Sequence, residues 1–433
     1  MSHPHRSAGL LYVGGFDFPA PQARAIQSLH TAHALARAGW CVRLLTQRSR
    51  LGAAELETTL AAYGLAPHPE LQIVPLPVVR PGRLPGLGIH ARLALTNWSY
   101  GAACLFDLLR GGFRPDALLV RDPRLAWIFL RARHFHRLPV VYEVHELFST
   151  RPRDNRSLEP ERLRGVAART RRLERSVLAQ ADLLLPLTRC CADLLGQEFG
   201  VPPSRMAVVP DGTAPPSGPL PARDPASREV VYAGQLYPWK GVDTLLLALA
   251  KLDNVHLTVF GGLGPANGPD PDLQACRALA RRAGVAPRVH FAGFIPHAEV
   301  RPRLSAAAVA VLPLPELLMS RYFTSPLKLF EYMAAGVPIV ASDLPALREV
   351  LVDGENALLV PPGGPRALAH AISRLLADPL LADRLRGRAF QDVRAYTWDR
   401  RAERIIEAVE PLIPSRQQSA VSRQPSGSDR STC

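Results

Sequence analysis

The feature that most limits the folds open to this chain is an alternation. Short uninterrupted apolar runs are each followed by a longer stretch of helical periodicity. A run that is apolar at every position suits a strand buried on both faces, and strands of that kind belong to parallel sheets whose crossover helices cover both sides. The fold class is therefore α/β. In the first half the runs predict strands over 10–13, 42–46, 71–74, 117–120, 140–144, 183–187 and 207–209, and a helix over 23–38 closed by Gly39 as its C-terminal cap. At 210–225 the text becomes "PDGTAPPSGPLPARDP", with six prolines and no periodicity, which marks a linker. A second series then predicts strands over 230–233, 255–260, 289–291, 309–312, 339–341 and 358–360. Two similar domains joined by a hinge follow from this pattern. A last helical pattern over 398–409 carries Ile405, Ile406 and Val409, and the Ser, Gln and Arg text from 415 onward is expected to be disordered.

Charge narrows the partners. The 433 residues hold 52 basic and 38 acidic side chains, a formal net charge of +14, so phosphates, nucleic acid or an acidic lipid surface are the partner classes to weigh. Only three of the basic residues are lysines: Lys240, Lys251 and Lys328. Where arginine is the default cation, a lysine carries information. The six cysteines have none of the spacings that build zinc or redox sites, which suits a reducing compartment. No stretch reaches about 18 uninterrupted apolar residues, the best candidate at 93–109 being broken by Asn97 and Asp107. The amino end lacks a secretory apolar region, and a cytoplasmic protein is expected.

In open parallel sheets, ligands bind beyond the carboxyl ends of the strands. Three loops of the second half stand out there. In "VVYAGQLYPWKG", Gly234 lets the chain turn, and Lys240 with Gly241 opens a helix. In "VFGGLGP", the glycines around Gly262 permit close approach of backbone to ligand, or serve only the turn. In "TSPLKLFEYMAAGVP", Ser325 fits an N-cap and Pro326 the first helical position. Lys328 then falls in the first turn, where a cation is unfavourable against the helix dipole unless an anion is near. Glu331, three residues on, shares its face. Leu327, Phe330 and Ala334 form the expected buried stripe.

With "ALARAGWCVRLL", "VVYEVHELF", "AQADLLLPLTRCCADLL", "MAVVPDGT" and the closing "YTWDRRAERI", these segments make a chain that resembles the nucleotide-sugar-dependent glycosyltransferases of family 4. The resemblance covers most of the chain and implies the GT-B architecture, two Rossmann-like domains facing across a cleft. It implies an acceptor-side domain over 1–212, a linker over 213–228 and a nucleotide-sugar-binding domain over 229–392. A helix over 393–413 would pack back toward the first domain, and a tail would follow over 414–433. By the resemblance Lys240 would hold the donor diphosphate, Glu331 the ribose hydroxyls, and the start of the helix at Ser325, Pro326 and Lys328 the phosphate side. His145 would lie near the transferred sugar, and a Gly14–Gly15 loop would approach from the opposite domain. Gln235 stands where the family usually has an arginine, for which Arg321 and Arg348 are the candidate replacements. Phe323 stands where many members have a second glutamate, and backbone amides over 319–324 would take its place.

The implied activity is a metal-independent, retaining hexosyltransferase without cofactor. It would move sugar from a nucleotide-diphosphate sugar to a glycan, lipid-linked or small-molecule acceptor, in bacterial cell-surface polysaccharide or glycolipid synthesis. The other readings are a nucleotide-sugar epimerase of the same architecture and a non-catalytic sugar-nucleotide binder. "VGGFDF" lacks the glycine spacing of a nicotinamide site. Asp270 and Asp272 suit helix capping better than metal binding. Nine arginines over 151–175 surround one apolar stripe, as in a packed domain helix or a surface held on the inner face of the acidic cytoplasmic membrane. No motif for nucleic acid accompanies them.

Overall fold

A computed structural model describes residues 8–19, 22–47, 53–80, 89–150, 160–262, 270–295 and 297–414. Its strands form two six-stranded sheets in which every pairing is parallel. The first contains β1 (Gly9–Asp17), β2 (Cys41–Gln47), β3 (Leu71–Leu76), β4 (Ala117–Val120), β5 (Val140–Val144) and β6 (Leu183–Pro186) in the order β3-β2-β1-β4-β5-β6. The second contains β7 (Glu229–Ala233), β8 (His256–Phe260), β9 (Val289–Gly293), β10 (Val309–Leu312), β11 (Ile339–Ser342) and β12 (Leu358–Val360) in the order β12-β11-β10-β7-β8-β9. Counted from its own first strand, each sheet runs 3-2-1-4-5-6, the doubly wound order that leaves a crevice where the winding reverses. The α/β class and the two Rossmann-like domains read from the sequence are what the chain forms.

Burial explains why the strands are apolar throughout. Leu10 and Tyr12 of β1 face a core with Leu29 and Leu35, whereas Leu11 and Val13 face a second core with Phe129 and Val177. Side chains alternate between faces, and helices cover both. The helix Trp398–Val409 belongs to the first of these cores although it comes last in the sequence. Its Trp398, Ala402, Ile405 and Val409 are buried against the helix Ala23–Arg37, with Thr397 accepting the Arg400 N–H at its start. The chain thus crosses between halves twice, and the crossings are paired. Thr213 N–H donates to Tyr396 O at 3.0 Å, and Trp398 N–H donates to Thr213 O at 3.1 Å.

Three local expectations differ from the structure. The run at 207–209 is not a strand: Ala207 and Val209 donate to Leu184 O and Pro186 O, yet only the single bridge Leu184↔Met206 forms. Pro202, Pro203 and Pro210 flank the run and have no N–H with which to extend a ladder. The strand expected over 183–187 ends at Pro186. The Gly14–Gly15 segment is not a loop, because β1 continues through a bulge and pairs again at Asp17↔Gln47. The tail from 415 and the arginines at 151–159 lie outside the described residues. From Pro160 to Gln180 the chain is helical, with Leu173, Val177 and Leu178 packed on the first domain.

If the last helix completes the first core, Ile405→Ala should lower the unfolding transition of the first domain by about 2–5 kcal/mol, the usual result of emptying a fully buried isoleucine site. Urea melts followed separately in each half would show it, and a shift confined to the second half would contradict the assignment.

Candidate functional site

A cavity of about 1210 Å³ lies between the carboxyl ends of the two sheets. From the second domain it is walled by the loops after β7, β8, β9 and β10, and from the first by those after β1, β4, β5 and β6 together with the start of the helix Ala23–Arg37 and one face of the helix Ala53–Ala62. Strands β7 and β10 are the neighbours at which the second sheet reverses its winding. Lys240 follows the first of them and Lys328 the second, so the topology brings together two of the chain's three lysines.

Lys240 ends the single turn Pro238–Lys240. Gly241 follows with φ 74° and N-caps the helix Val242–Leu249. A Cβ at 241 would lie 1.8 Å from Pro313 O, so no other residue lets the loops after β7 and β10 approach this closely. Lys328 lies in the first turn of the helix Leu327–Ala335. Its Nζ donates to Tyr232 OH at 2.7 Å and sits 3.9 Å from the centroid of that ring. The Tyr232 hydroxyl in turn donates to Gln235 O. Gly234, at φ 140°, leaves room for the ammonium, since a Cβ there would be 2.6 Å from Nζ. Burial pulls the pKa of Lys328 well below the ordinary lysine value, the Lys240 charge pulls it further, and Glu331 opposes both. Lys240 is also lowered by burial, against the opposing charge of Glu146.

The sequence placed Ser325 as the helix cap and Lys328 on one face with Glu331. In the structure Pro326 occupies the N-cap position, and the Ser325 hydroxyl accepts the Asp211 N–H at 2.9 Å. That amide comes from the chain leaving the first domain. Lys328 and Glu331 both line the cavity, but the ammonium bonds to Tyr232. Within the expected buried stripe Phe330 and Ala334 are buried, while Leu327 is partly exposed and packs on the first domain's core.

His145, at the end of β5, lines the cavity with Arg121, Gln27 and Asp211. Its Nε2 is 3.1 Å from Oε1 of Glu143. Burial and the Arg121 charge push the imidazole down to about 4 against the pull of Glu143, so the ring is neutral at neutral pH. Burial would raise the Glu143 carboxyl, but His145 and Arg401 outweigh it and hold the group below the usual carboxylate range. Asp211 is pushed up to about 6 by burial despite Arg401 and Arg121.

Gln235, Gly262, Ser325 and Pro326 also line the cavity, whereas Gly14 and Gly15 do not border it. Neither candidate replacement for the missing arginine reaches it: Arg321 pairs with Glu316 and Arg348 with Asp343, both on the exposed surface. The arginine that does line the cavity, Arg121, comes from the first domain and was not singled out by the sequence. Met319, Phe323 and Thr324 are in the wall, and Phe323 is buried against the first domain's core. Asp270 caps the helix Pro271–Arg282 by accepting the Leu273 N–H, while 263–269 of the glycine loop lie outside the described residues. Among the described residues no group of three His, Cys, Asp or Glu could hold a metal ion.

Comparison with known proteins adds two family matches. Residues 227–378 match the family described as "Glycosyl transferases group 1", and residues 25–212 match the "Glycosyl transferase 4-like domain". The D-inositol 3-phosphate glycosyltransferase of Acidothermus cellulolyticus is 31% identical over 267 residues, 58% of this chain and 58% of that one. The glycogen synthase of Mycobacterium tuberculosis is 28% identical over 279 residues, 63% of each. The chain spans about three fifths of the length of the curated relatives it matches. Among solved structures, sucrose-phosphate synthase from Thermosynechococcus elongatus superposes with a TM-score of 0.74 at 21% identity, over 94% of this chain and 99% of that one. HepE from Anabaena in complex with UDP gives 0.66 at 16%, over 93% of this chain and 100% of that one. At such identities the likeness establishes the fold.

With only three lysines to assign, NMR can follow Lys240 and Lys328 individually. In Lys240→Met the Lys328 titration should move up, because a like charge has gone, and in Glu331→Gln it should move down. Shifts of the opposite sign, or none, would separate the two ammonium groups.

Proposed function

Because this chain belongs to the GT4-like glycosyltransferases of GT-B fold, we propose that it moves a hexose from a nucleotide-diphosphate sugar to an acceptor held by the first domain, with retention and without a metal ion. The observation that carries the reading is the meeting of two partly buried ammonium groups, Lys240 and Lys328, in a cavity that His145 enters from the other domain.

Breaking the bond between the sugar and the nucleoside diphosphate puts negative charge on the departing phosphate. Cations fixed in advance, in a site with little water, stabilise that charge most as it develops. The amino end of the helix Leu327–Ala335 adds its exposed amides. Glu331 is the candidate for the ribose hydroxyls. Transfer on one face forms the new bond to the acceptor oxygen as the phosphate leaves, and the acceptor's proton goes to that phosphate. Neutral His145 positions the sugar, where its ring adds no positive charge against an anomeric carbon becoming cationic. The lysines supply the charge that a metal would otherwise bring, which supports the metal-free reading.

The acceptor is the open side of the proposal. The named relatives and neighbours act on, or are named for, inositol phosphate, glycogen, sucrose phosphate and lipopolysaccharide, so glycan, lipid-linked and small-molecule acceptors are all in range. The basic excess supports meeting a lipid-linked acceptor at the cytoplasmic face of an acidic membrane in cell-surface polysaccharide or glycolipid synthesis. No helix among the described residues is long and apolar enough to cross a membrane.

A panel of nucleotide sugars, incubated with membrane extract or soluble acceptors, tests the reading. Transfer should persist in chelator, and Lys240→Ala or Glu331→Ala should each lower kcat/KM by about a hundredfold or more, as for loss of one preorganised charge contact. Donor affinity should weaken as pH rises through the depressed pKa of Lys328, because the neutral amine no longer attracts phosphate. Donor binding with no transfer in any combination would favour a sugar-nucleotide binder.

A further inference from the structure

The buried stripe of the helix Trp398–Val409 contains one residue that docking does not require. Trp398, Ala402, Ile405 and Val409 already bury an apolar face, yet Arg401 lies among them with 1% of its surface exposed. A buried ion pair is weak evidence for stability, since apolar residues of similar volume pack at least as well. Its presence points to another purpose.

The partners of Arg401 show where its charge is directed. Nε donates to Thr31 Oγ1 at 2.9 Å, and Nη1 donates to the carbonyls of Val209 and Pro210 at 2.8 and 2.7 Å. Nη2 donates to Glu143 Oε1. Glu143 has no exposed surface and stands mid-sheet in a strand that is otherwise Val and Tyr. Its carboxylate also accepts from Tyr12 OH at 2.9 Å and Gln27 Nε2 at 2.6 Å, and it lies 3.1 Å from His145 Nε2. The 3.1 Å contact does not meet hydrogen-bond geometry, yet a carboxylate that close repels a ring lone pair and attracts an N–H, which favours the proton of the neutral imidazole on Nε2 and the lone pair on Nδ1.

We propose that Arg401 is a positioning residue for the transfer reaction, holding Glu143 so that the His145 ring keeps one tautomer and one orientation at the cavity wall. The inference rests on the glycosyltransferase reading and deepens it, since it makes the returning C-terminal helix part of the active site. The charged groups around His145 are Arg121 after β4, Glu143 on β5 and Arg401 on the last helix. Asp211 lies 3.7 Å from Arg401 on the side of the hinge.

The test uses the full chain with 15N-labelled histidine, the His145 signals being assigned by their loss in His145→Gln. In Arg401→Met the His145 midpoint should rise from about 4, because a nearby cation is gone, and in Glu143→Gln it should fall. In Arg401→Met the Nε2–H tautomer should give way to a mixture. With UDP-glucose, or whichever panel donor the wild type consumes, kcat should drop by about a hundredfold while donor KM holds, as for a misplaced reacting group. Arg401→Lys, which keeps the charge and loses the forked contacts, should recover part of kcat. An unchanged His145 midpoint and tautomer in folded Arg401→Met would overturn the proposal, as would a kcat that merely tracks lost thermal stability. If Arg401→Met does not fold, Arg401→Lys replaces it, and there full kcat with an unaltered tautomer is the overturning result. The ring signals need no substrate, so they decide whether Arg401 holds His145 separately from whether the chain transfers sugar from any donor.

Discussion

Two ammonium groups that repel one another in one cleft between the domains are the constraint on which the site depends. Each is displaced from its ordinary titration range by burial, and Lys328 is displaced further by Lys240. Without an anion between them the arrangement is unfavourable, and Lys328 also stands against the positive end of its own helix. Several unrelated details of the fold exist to maintain it. Gly234 leaves room for the Lys328 ammonium, Tyr232 receives it with both ring and hydroxyl, and Gly241 lets the Lys240 loop lie against Pro313. The diphosphate of the proposed donor would relieve these tensions together. It would neutralise the mutual repulsion and complement the helix dipole.

The two domains divide the electrostatic work. The second presents positive charge where a phosphate would leave, and the first presents a neutral imidazole backed by a fixed carboxylate. Were His145 protonated, a third cation beside Arg121 would face a sugar carbon that becomes electron-poor in the proposed reaction. Burial and Arg121 prevent that by holding the ring neutral, and on the inference above the nearby Glu143 carboxylate favours Nε2 as the nitrogen that carries the proton. Asp211 joins the two sides. Its backbone N–H bonds to Ser325 at the donor helix, and its carboxylate faces the cavity beside Arg401.

What the sequence made legible follows from range. Strands buried on both faces announce themselves as apolar runs, so the two sheets could be read almost strand by strand; the run at 207–209 misled because its flanking prolines forbid a ladder. Lys240 and Lys328 were legible as anomalies, rare lysines at helix starts, and Glu331 as the residue that shares the face of Lys328; the structure brings all three to one wall. The Glu143–Arg401 contact spans 258 positions and no local pattern could join its ends. Each end nevertheless left a trace: a carboxylate inside "VVYEV", and an arginine on the apolar stripe of "WDRRAERIIEAV". Gln27 left a similar one, since it lies on the buried face of the helix Ala23–Arg37. Arg121 and Asp211 left none, because each sits in a loop where polar residues are ordinary.

The paired crossing at the hinge explains why control of His145 belongs on the last helix. The outgoing chain at Thr213 and the returning chain at Tyr396 and Trp398 are bonded side by side, so both crossings between the domains lie at one place. Arg401 binds the carbonyls of Val209 and Pro210 on the first-domain side of that crossing. The proposed hold on Glu143, and through it on His145, therefore rests on the first domain and the helix packed into its core, whereas Lys240 and Lys328 belong to loops of the second domain. A positioning group carried by those loops would depend on how the two domains meet. Carried by the first domain's own core and anchored beside the paired crossing, it would hold the imidazole independently of them.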